Sequence, residues 1–238
     1  KMDLNNRMYK NKISKLLMIG DKNPYNKKKI LRIKSNKPKI IIIASCFFDA
    51  VNFYKHSLYT DSYIFVNEIL KLAKNTNFEW YIKPHPDGQV PNSETLKKIK
   101  KKFSFLNILD SSVSNLTFKK NNFKAMFTFN GSAVHEFISM GIPSFATSDN
   151  KQAAYNFGRC VKSKAILKKI VMRADKIKNN FKMSEIYEFN YMYSFQKSKD
   201  WKIVDFLNKK EELEFLKLEQ NNKYNLKILN YIQNKIFE

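Results

Sequence analysis

Two stretches of the chain contain residue types and spacings that could do chemistry: WYIKPHPDG, residues 80–88, and TFNGSAVHEFISMGIPSF, residues 128–145. In the first stretch, Pro84 and Pro86 flank His85 and stiffen the backbone around it. An imidazole held in this way can donate to a phosphate oxygen or protonate a leaving phosphate. The alternative is a histidine in a tight turn that is stacked or solvated.

The second stretch combines a glycine, a serine and an acid. Gly131 permits close approach of the backbone, and Ser132 stands where a helix is predicted to begin, so free N–H groups would favour a phosphate there. Glu136 follows Ser132 by one helical turn, where its carboxylate could accept hydrogen bonds from the two hydroxyls of a ribose. The alternative is that Ser132 only caps the helix and Glu136 is solvated. His135 points to another helical face and is interpreted as structural.

Asp49 is the one acid that directly follows the first predicted strand, KIIIIASCF, residues 39–47. A carboxylate in this place could act as a nucleophile or as a general base on an incoming hydroxyl. The alternative is an aspartate that caps a loop. The histidines lack the spaced acid or cysteine partners of a zinc site, so no metal site is predicted. No P-loop and no G-x-G-x-x-G run occurs, which argues against kinases and dinucleotide oxidoreductases.

The elements that must position these residues alternate between strand and helix. Hydrophobic periodicity predicts strands at 39–47, 78–86, 105–110, 124–131 and 142–147. It predicts helices at 62–75, 93–104, 111–121 and 132–141, the second of them capped by Ser93 or Asn92. This alternation predicts an α/β fold with a Rossmann-like, doubly wound parallel sheet. Ligands bind outside the carboxyl ends of such strands, so the candidate residues are expected to meet at one edge of the sheet.

The chain of 238 residues is long enough for one sizeable core. We predict a linker or remnant of an N-terminal lobe at 1–38, a nucleotide-sugar-binding domain at 39–165 and a C-terminal helical extension at 166–238. The extension contains amphipathic patterns at 201–220 and 223–237. No apolar run approaches the ~20 residues that cross a bilayer. The two cysteines fit a reducing compartment, which predicts a cytoplasmic location.

The chain is strongly basic, with 44 lysines and arginines against 21 acids and a net charge of +23. Only four of the basic residues are arginines, whereas proteins that bind nucleic acids usually rely on arginine for bidentate contacts. A nucleic-acid partner is therefore disfavoured. We attribute the charge mainly to a lysine-rich composition, and to a lesser extent to attraction toward an acidic glycan or a peripheral contact with an anionic membrane.

The order of the motifs resembles the bacterial capsule polysaccharide synthesis family, which includes the Kdo transferases of capsule and lipopolysaccharide assembly. The resemblance rests on the strand-end Asp49, the K-P-H-P-D run at 83–87 and the segment FTFNGSAVHEFISMGIPSF, and it spans residues 39–160. It implies a GT-B-like architecture of which this chain holds the nucleotide-binding half. It also implies a CMP-activated sugar donor, with Kdo in the best-known cases, a glycan or glycolipid acceptor, and no cofactor.

The resemblance also implies roles for residues. His85 would contact the donor phosphate, Glu136 would hold the ribose or cytidine, and Asp49 would be the nucleophile of a retaining transfer. The other residues assigned to nucleotide binding are Lys83, Pro86, Asn130, Gly131 and Ser132. Two alternatives remain: a nucleotide- or glycan-binding lobe without catalysis, and a glycerophosphotransferase that uses CDP-glycerol. The enzyme is the leading hypothesis, and the first alternative gains weight because ASCFFDAV lacks the glutamine that usually precedes the family's aspartate.

Overall fold

The structure is a computed structural model, and two units of the chain are distinguished in it. It describes residues 25–47, 57–85, 89–150, 152, 155–158, 160–179 and 181–194. One unit is Asn26–Lys182, and the described part of the other is Tyr25 with residues 183–194. The patterns predicted at 201–220 and 223–237 lie outside the described residues, as do residues 1–24. The domain boundaries given above stay predictions.

The first unit is built on a five-stranded sheet in which every strand pair is parallel. The strand order is β3-β2-β1-β4-β5. The strands are β1 Lys39–Ile43, β2 Glu79–Lys83, β3 Asn107–Ile108, β4 Ala125–Thr128 and β5 Ser144–Ala146. This order reverses direction between β1 and β4, which confirms the predicted Rossmann-like, doubly wound α/β fold.

Helices connect the strands and cover the sheet. They are α1 Ser62–Ala73, α2 Gln89–Lys102, α3 Leu116–Lys120, α4 Ala133–Ser139 and α5 Lys164–Met172. Short 3-10 helices occur at Lys27–Lys29 and Asn156–Gly158. In the second unit, the described helix is α6 Met183–Ser194. Among the helices that the structure describes, none has both the length and the apolar character needed to span a bilayer.

The continuous isoleucine run of β1 is explained by burial on both faces of the sheet. Ile40 and Ile42 belong to the main core cluster, which also contains side chains of α1, α2 and α5. On the opposite face, α3 and α4 pack together through the rings of Phe118 and Phe137, whose centroids lie 5.3 Å apart. A central strand with helices on both sides has no solvated face, so its sequence does not alternate.

The predicted start of α2 is wrong. The helix begins at Gln89 rather than at residue 93, and Pro91 lies in its first turn, where the missing N–H of a proline costs no helical hydrogen bond. Asn92, predicted as a candidate cap, is buried inside the helix, and its Oδ1 accepts from the backbone N of Phe47 at 3.1 Å. Strand β1 ends at Ile43 instead of continuing to the predicted residue 47, and Phe47 lies beyond it.

A hydroxyl in the core gives a prediction about stability. Thr147 directly follows β5, is 1% exposed, and its Oγ1 has no hydrogen-bond partner in the described structure. The substitution Thr147→Val replaces this hydroxyl with a methyl group of similar size. We expect it to raise the free energy of unfolding by about 1 kcal/mol, measured by urea denaturation, because a buried unpaired hydroxyl is destabilising.

The matched control is Thr117→Val in α3. Thr117 is equally buried, but its Oγ1 accepts from the backbone N of Leu31 at 3.1 Å. Removing this acceptor leaves a backbone N–H without its partner and is expected to lower the free energy of unfolding by about 1–2 kcal/mol. Equal losses of stability in the two valine variants would contradict the structure at Thr147.

Candidate functional site

Three neighbouring strands end at the same level on the carboxyl edge of the sheet. Ile43, at the end of β1, is paired with Lys83 of β2 on one side and with Thr128 of β4 on the other. The strand order changes direction between β1 and β4. In open α/β sheets, ligands bind in the crevice that forms at this point. The sequence-predicted residues that follow β2 and β4 therefore lie at the edge where a ligand is expected.

The turn after β4 is fixed by its carbonyl groups and by a glycine. Asn130 O accepts from Thr128 Oγ1 at 2.9 Å and from Ser45 Oγ, which follows β1, at 3.3 Å. Gly131 has a φ of 128°, a backbone conformation that favours glycine. A Cβ placed on Gly131 would meet no heavy atom within 4 Å. The backbone at Gly131 is thus held in place and borders open space that a ligand could enter.

Lys83 is a buried cation at the last position of β2. Its side chain is 6% exposed, and its Nζ donates to Asn115 Oδ1 at 2.7 Å. Burial lowers the pKa of Lys83 to about 8, although the carboxylates of Glu136 and Asp110 oppose this shift. Lys83 is therefore still protonated in the main at neutral pH, and its charge is poorly screened by water.

The amide of Asn115 connects this cation to a carboxylate on α4. Asn115 Nδ2 donates to Glu136 Oε2 at 3.4 Å, and Ser132 Oγ donates to Glu136 Oε1 at 3.0 Å. We call the chain Lys83–Asn115–Glu136–Ser132 the Lys83–Glu136 network. It joins the end of β2 to the start of α4, so the structure brings together Lys83 and Ser132, which lie 49 residues apart in the sequence.

The Lys83–Glu136 network defines the hydrogen bonds that Ser132 and Glu136 make within the protein. Ser132 occupies the position before α4, but its side chain makes no capping hydrogen bond. Its hydroxyl is directed to Glu136 instead, as the spacing of one helical turn allows. Glu136 is half-buried and accepts from two side chains. Neither the simple cap nor the solvated acid describes the structure.

Of the three remaining site residues that the sequence predicts, the structure describes one. His85 is half-buried and follows Lys83 by two residues, beyond the end of β2 at the same edge of the sheet. Asp49 and Pro86 lie outside the described residues, and their proposed roles stay predictions. In the described ranges, no three histidine, cysteine, aspartate or glutamate side chains come together as a candidate metal site.

His135 has the structural environment that its helical face predicts. Burial lowers its pKa, and its Nδ1 is hydrogen-bonded to Gln152 Nε2 at 2.7 Å. A half-buried, neutral imidazole that accepts from this amide links α4 to the segment after β5. The carboxylate of Glu136 opposes the lowering of the His135 pKa.

Sequence reasoning missed Asn115, the residue at the centre of the network. It lies in the segment after β3, which was predicted to be helical from 111 onward, whereas α3 begins only at Leu116. One signal could have identified it: a polar run, DSSVSN, follows a strand that neighbours β2 in the expected sheet. Polar residues after β3 are candidate site residues for the same reason as those after β1, β2 and β4, because they follow the carboxyl end of a strand.

Neither a protein-family model nor a curated protein sequence matches this chain.

Proposed function

We propose that this chain is the nucleotide-binding part of a glycosyltransferase of capsule or surface-polysaccharide assembly. The donor is a CMP-activated sugar, in the first instance Kdo, and the acceptor is a glycan or glycolipid. The observation that supports the proposal is the Lys83–Glu136 network, which holds an ammonium group and a carboxylate at the switch point of the sheet. A nucleotide presents an anionic phosphate, which a cation attracts, and a neutral ribose, whose hydroxyls donate hydrogen bonds to a carboxylate.

The cationic end of the network suits the phosphate. An ammonium group has three N–H donors, and Asn115 takes one of those of Lys83. Its charge acts over several ångströms because buried charges are weakly screened. The open space beside Gly131 would let a phosphate approach the backbone between β4 and α4. His85 follows on the same strand end as Lys83 and adds a second nitrogen group on the phosphate side.

The acidic end suits the ribose. A carboxylate accepts up to four hydrogen bonds, and Ser132 and Asn115 fix the plane of the Glu136 carboxylate by donating one each. A side chain oriented in this way loses little conformational entropy when it binds the two hydroxyls of a ribose. The ribose would then lie over α4, with its phosphate directed toward β2.

We propose a transfer in which these groups act on the departing phosphate. As the bond between the anomeric carbon and the phosphate oxygen breaks, negative charge grows on that oxygen, where Lys83 and His85 would stabilise it. We assign the new bond on the sugar carbon to Asp49. The acceptor oxygen then displaces this carboxylate, and the proton of the acceptor hydroxyl passes to water. CMP leaves as the second product. We place this reaction in the cytoplasm, at the inner face of the cell membrane.

The test of the proposed function is nucleotide binding by the protein. CMP at about 100 times its dissociation constant is expected to raise the free energy of unfolding by about 2.7 kcal/mol, seen as a higher melting temperature. His85→Ala is expected to lower the affinity for CMP roughly 10-fold in calorimetry, because one hydrogen bond to a charged group is lost. Lys162→Ala, which removes an exposed cation after β5, serves as the control and should bind CMP normally.

Two results would count against this function. If CMP, CDP and UMP all leave the melting temperature unchanged, the edge of the sheet does not bind a nucleotide. If inorganic phosphate protects the protein as well as CMP does, the site recognises an anion and makes no use of the ribose or the base.

A further inference from the structure

The opposite edge of the sheet, where the strands begin, collects lysines from the ends of three helices. Helices that connect parallel strands run back along the sheet, so the C-termini of α1, α2 and α3 all lie at this amino edge. The lysines at these ends are Lys71, Lys74, Lys97, Lys98, Lys100, Lys101, Lys102, Lys119 and Lys120. We call this set the amino-edge lysines. Apart from the half-buried Lys100, they are exposed.

Helix electrostatics explains only a part of this set. A cation in the last turn of a helix is favoured by the helix dipole, and the effect fades within that turn. In α2, however, the run 97–102 contains five lysines and no acid, and it extends beyond the last turn. The self-repulsion of such a run is unfavourable for the isolated fold, and a negatively charged partner would offset it.

Apolar side chains lie among these lysines. Phe105 is 37% exposed, and its ring packs edge-on against Phe103 with a centroid distance of 6.1 Å. The Nζ atoms of Lys74 and Lys102 lie 5.2 Å and 5.4 Å from the centre of the same Phe103 ring. Phe105 is thus an exposed aromatic that packs on a buried ring contacted by two lysines, and this combination fits the lipid–water interface, where a ring enters the headgroups and amines contact phosphates.

We propose that the amino edge of the sheet docks on a bilayer that contains anionic lipid, with Phe105 inserted among the headgroups. The scarcity of arginine favours lipid over nucleic acid as the anionic partner. This inference rests on the membrane location given under the proposed function, and it names the surface that makes the contact. The carboxyl edge, with the Lys83–Glu136 network, then faces away from the bilayer and stays open to a nucleotide.

Sedimentation of the full chain with lipid vesicles tests the docking surface. The vesicles are phosphatidylcholine alone and phosphatidylcholine mixed with phosphatidylglycerol, each at low and high salt. The double variant Lys101→Glu/Lys120→Glu is expected to weaken binding to the anionic vesicles roughly 30-fold or more. Phe105→Ser is expected to remove most of the binding that survives high salt, since that part depends on apolar insertion.

The matched control is Lys28→Glu/Lys162→Glu, which changes the net charge of the chain equally. Lys28 adjoins Lys29, whose carbonyl accepts from Ser114 after β3, and Lys162 follows β5, so both lie toward the carboxyl edge. This variant should keep most of the vesicle binding. If it loses as much binding as the amino-edge variant, the attraction depends on net charge and the docking surface is wrong.

The remaining outcomes distinguish membrane docking from nucleotide binding and from nucleic-acid binding. If the wild-type chain does not bind anionic vesicles, both the membrane location and the docking surface fail, whereas CMP binding is unaffected. If a duplex RNA binds more tightly than the vesicles and Phe105→Ser leaves that binding unchanged, the amino edge is a nucleic-acid surface. In each variant, the nucleotide site is tested independently by measuring how far CMP raises the melting temperature.

Discussion

Glu136→Ala is expected to lower the affinity for CMP roughly 100-fold, because two hydrogen bonds to a charged group would be lost together. A second effect acts in the same direction. The Glu136 carboxylate opposes the lowering of the Lys83 pKa, so its removal would leave Lys83 less charged at neutral pH and the phosphate less strongly attracted. Isothermal titration calorimetry with CMP measures the combined loss.

Two further variants decide how this result is interpreted. Glu136→Gln keeps an oxygen acceptor and the shape of the side chain, so it should fall between the wild type and the alanine variant. Glu68→Gln removes a carboxylate of α1 that pairs with Lys71, and it should bind CMP as the wild type does. An alanine variant that binds CMP normally would exclude Glu136 from the ribose site and would leave the proposed function without its acidic half.

The sequence predicted the architecture because β1 and its neighbours are buried on both faces. Ile40, Ile41 and Ile42 are fully buried, and a strand in this setting reads as one continuous apolar run. Short connections between alternating strands and helices then leave a parallel, right-handed arrangement as the main possibility. The pairing of Ser132 with Glu136 was predictable for a similar reason, since one helical turn brings the two side chains together.

The contacts between distant segments were not predictable from local patterns. Lys83 looks like any other lysine of a lysine-rich chain, and only the paired strands on either side of β2 make it a buried one. Asn115 reaches Lys83 across 32 positions of the sequence and Glu136 across 21. The early start of α2 was missed for the same reason, a contact between distant segments. Asn92 does not cap the helix, because its side chain accepts a hydrogen bond from the backbone of Phe47.

The amide between the cation and the carboxylate has a chemical consequence. A direct ion pair between Lys83 and Glu136 would neutralise both groups and leave neither strongly attractive to a ligand. Asn115 instead gives its oxygen to the ammonium and its N–H to the carboxylate. The two charges are thereby kept oriented yet apart, which allows one site to present a cation to a phosphate and an anion to a pair of hydroxyls.

Lys83→Met is therefore expected to change stability and binding in opposite directions. In the folded protein, burial lowers the lysine pKa from 10.5 to about 8, which corresponds to about 3 kcal/mol of destabilisation while the amine is charged. Methionine removes this cost, but it leaves Asn115 Oδ1 without its donor, at about 1–3 kcal/mol. The variant should thus melt at or above the wild-type temperature, whereas its affinity for CMP falls roughly 100-fold.

The pH dependence of stability and of CMP affinity, measured for the wild type and for Lys83→Met, shows whether Lys83 binds the phosphate or has only a structural role. Because the folded pKa of Lys83 lies below the unfolded value, its destabilising effect is fully present below pH 8 and disappears as the pH rises to 10.5. The wild type should therefore gain stability relative to Lys83→Met across this window in urea denaturation, until the methionine variant is the less stable protein near pH 10.5, where only the lost hydrogen bond to Asn115 remains. Over the first part of the same rise, wild-type affinity for CMP should weaken as Lys83 loses its proton, while that of the methionine variant stays low and flat. If wild-type affinity does not change between pH 7 and pH 9, the ammonium group of Lys83 has no part in binding the phosphate.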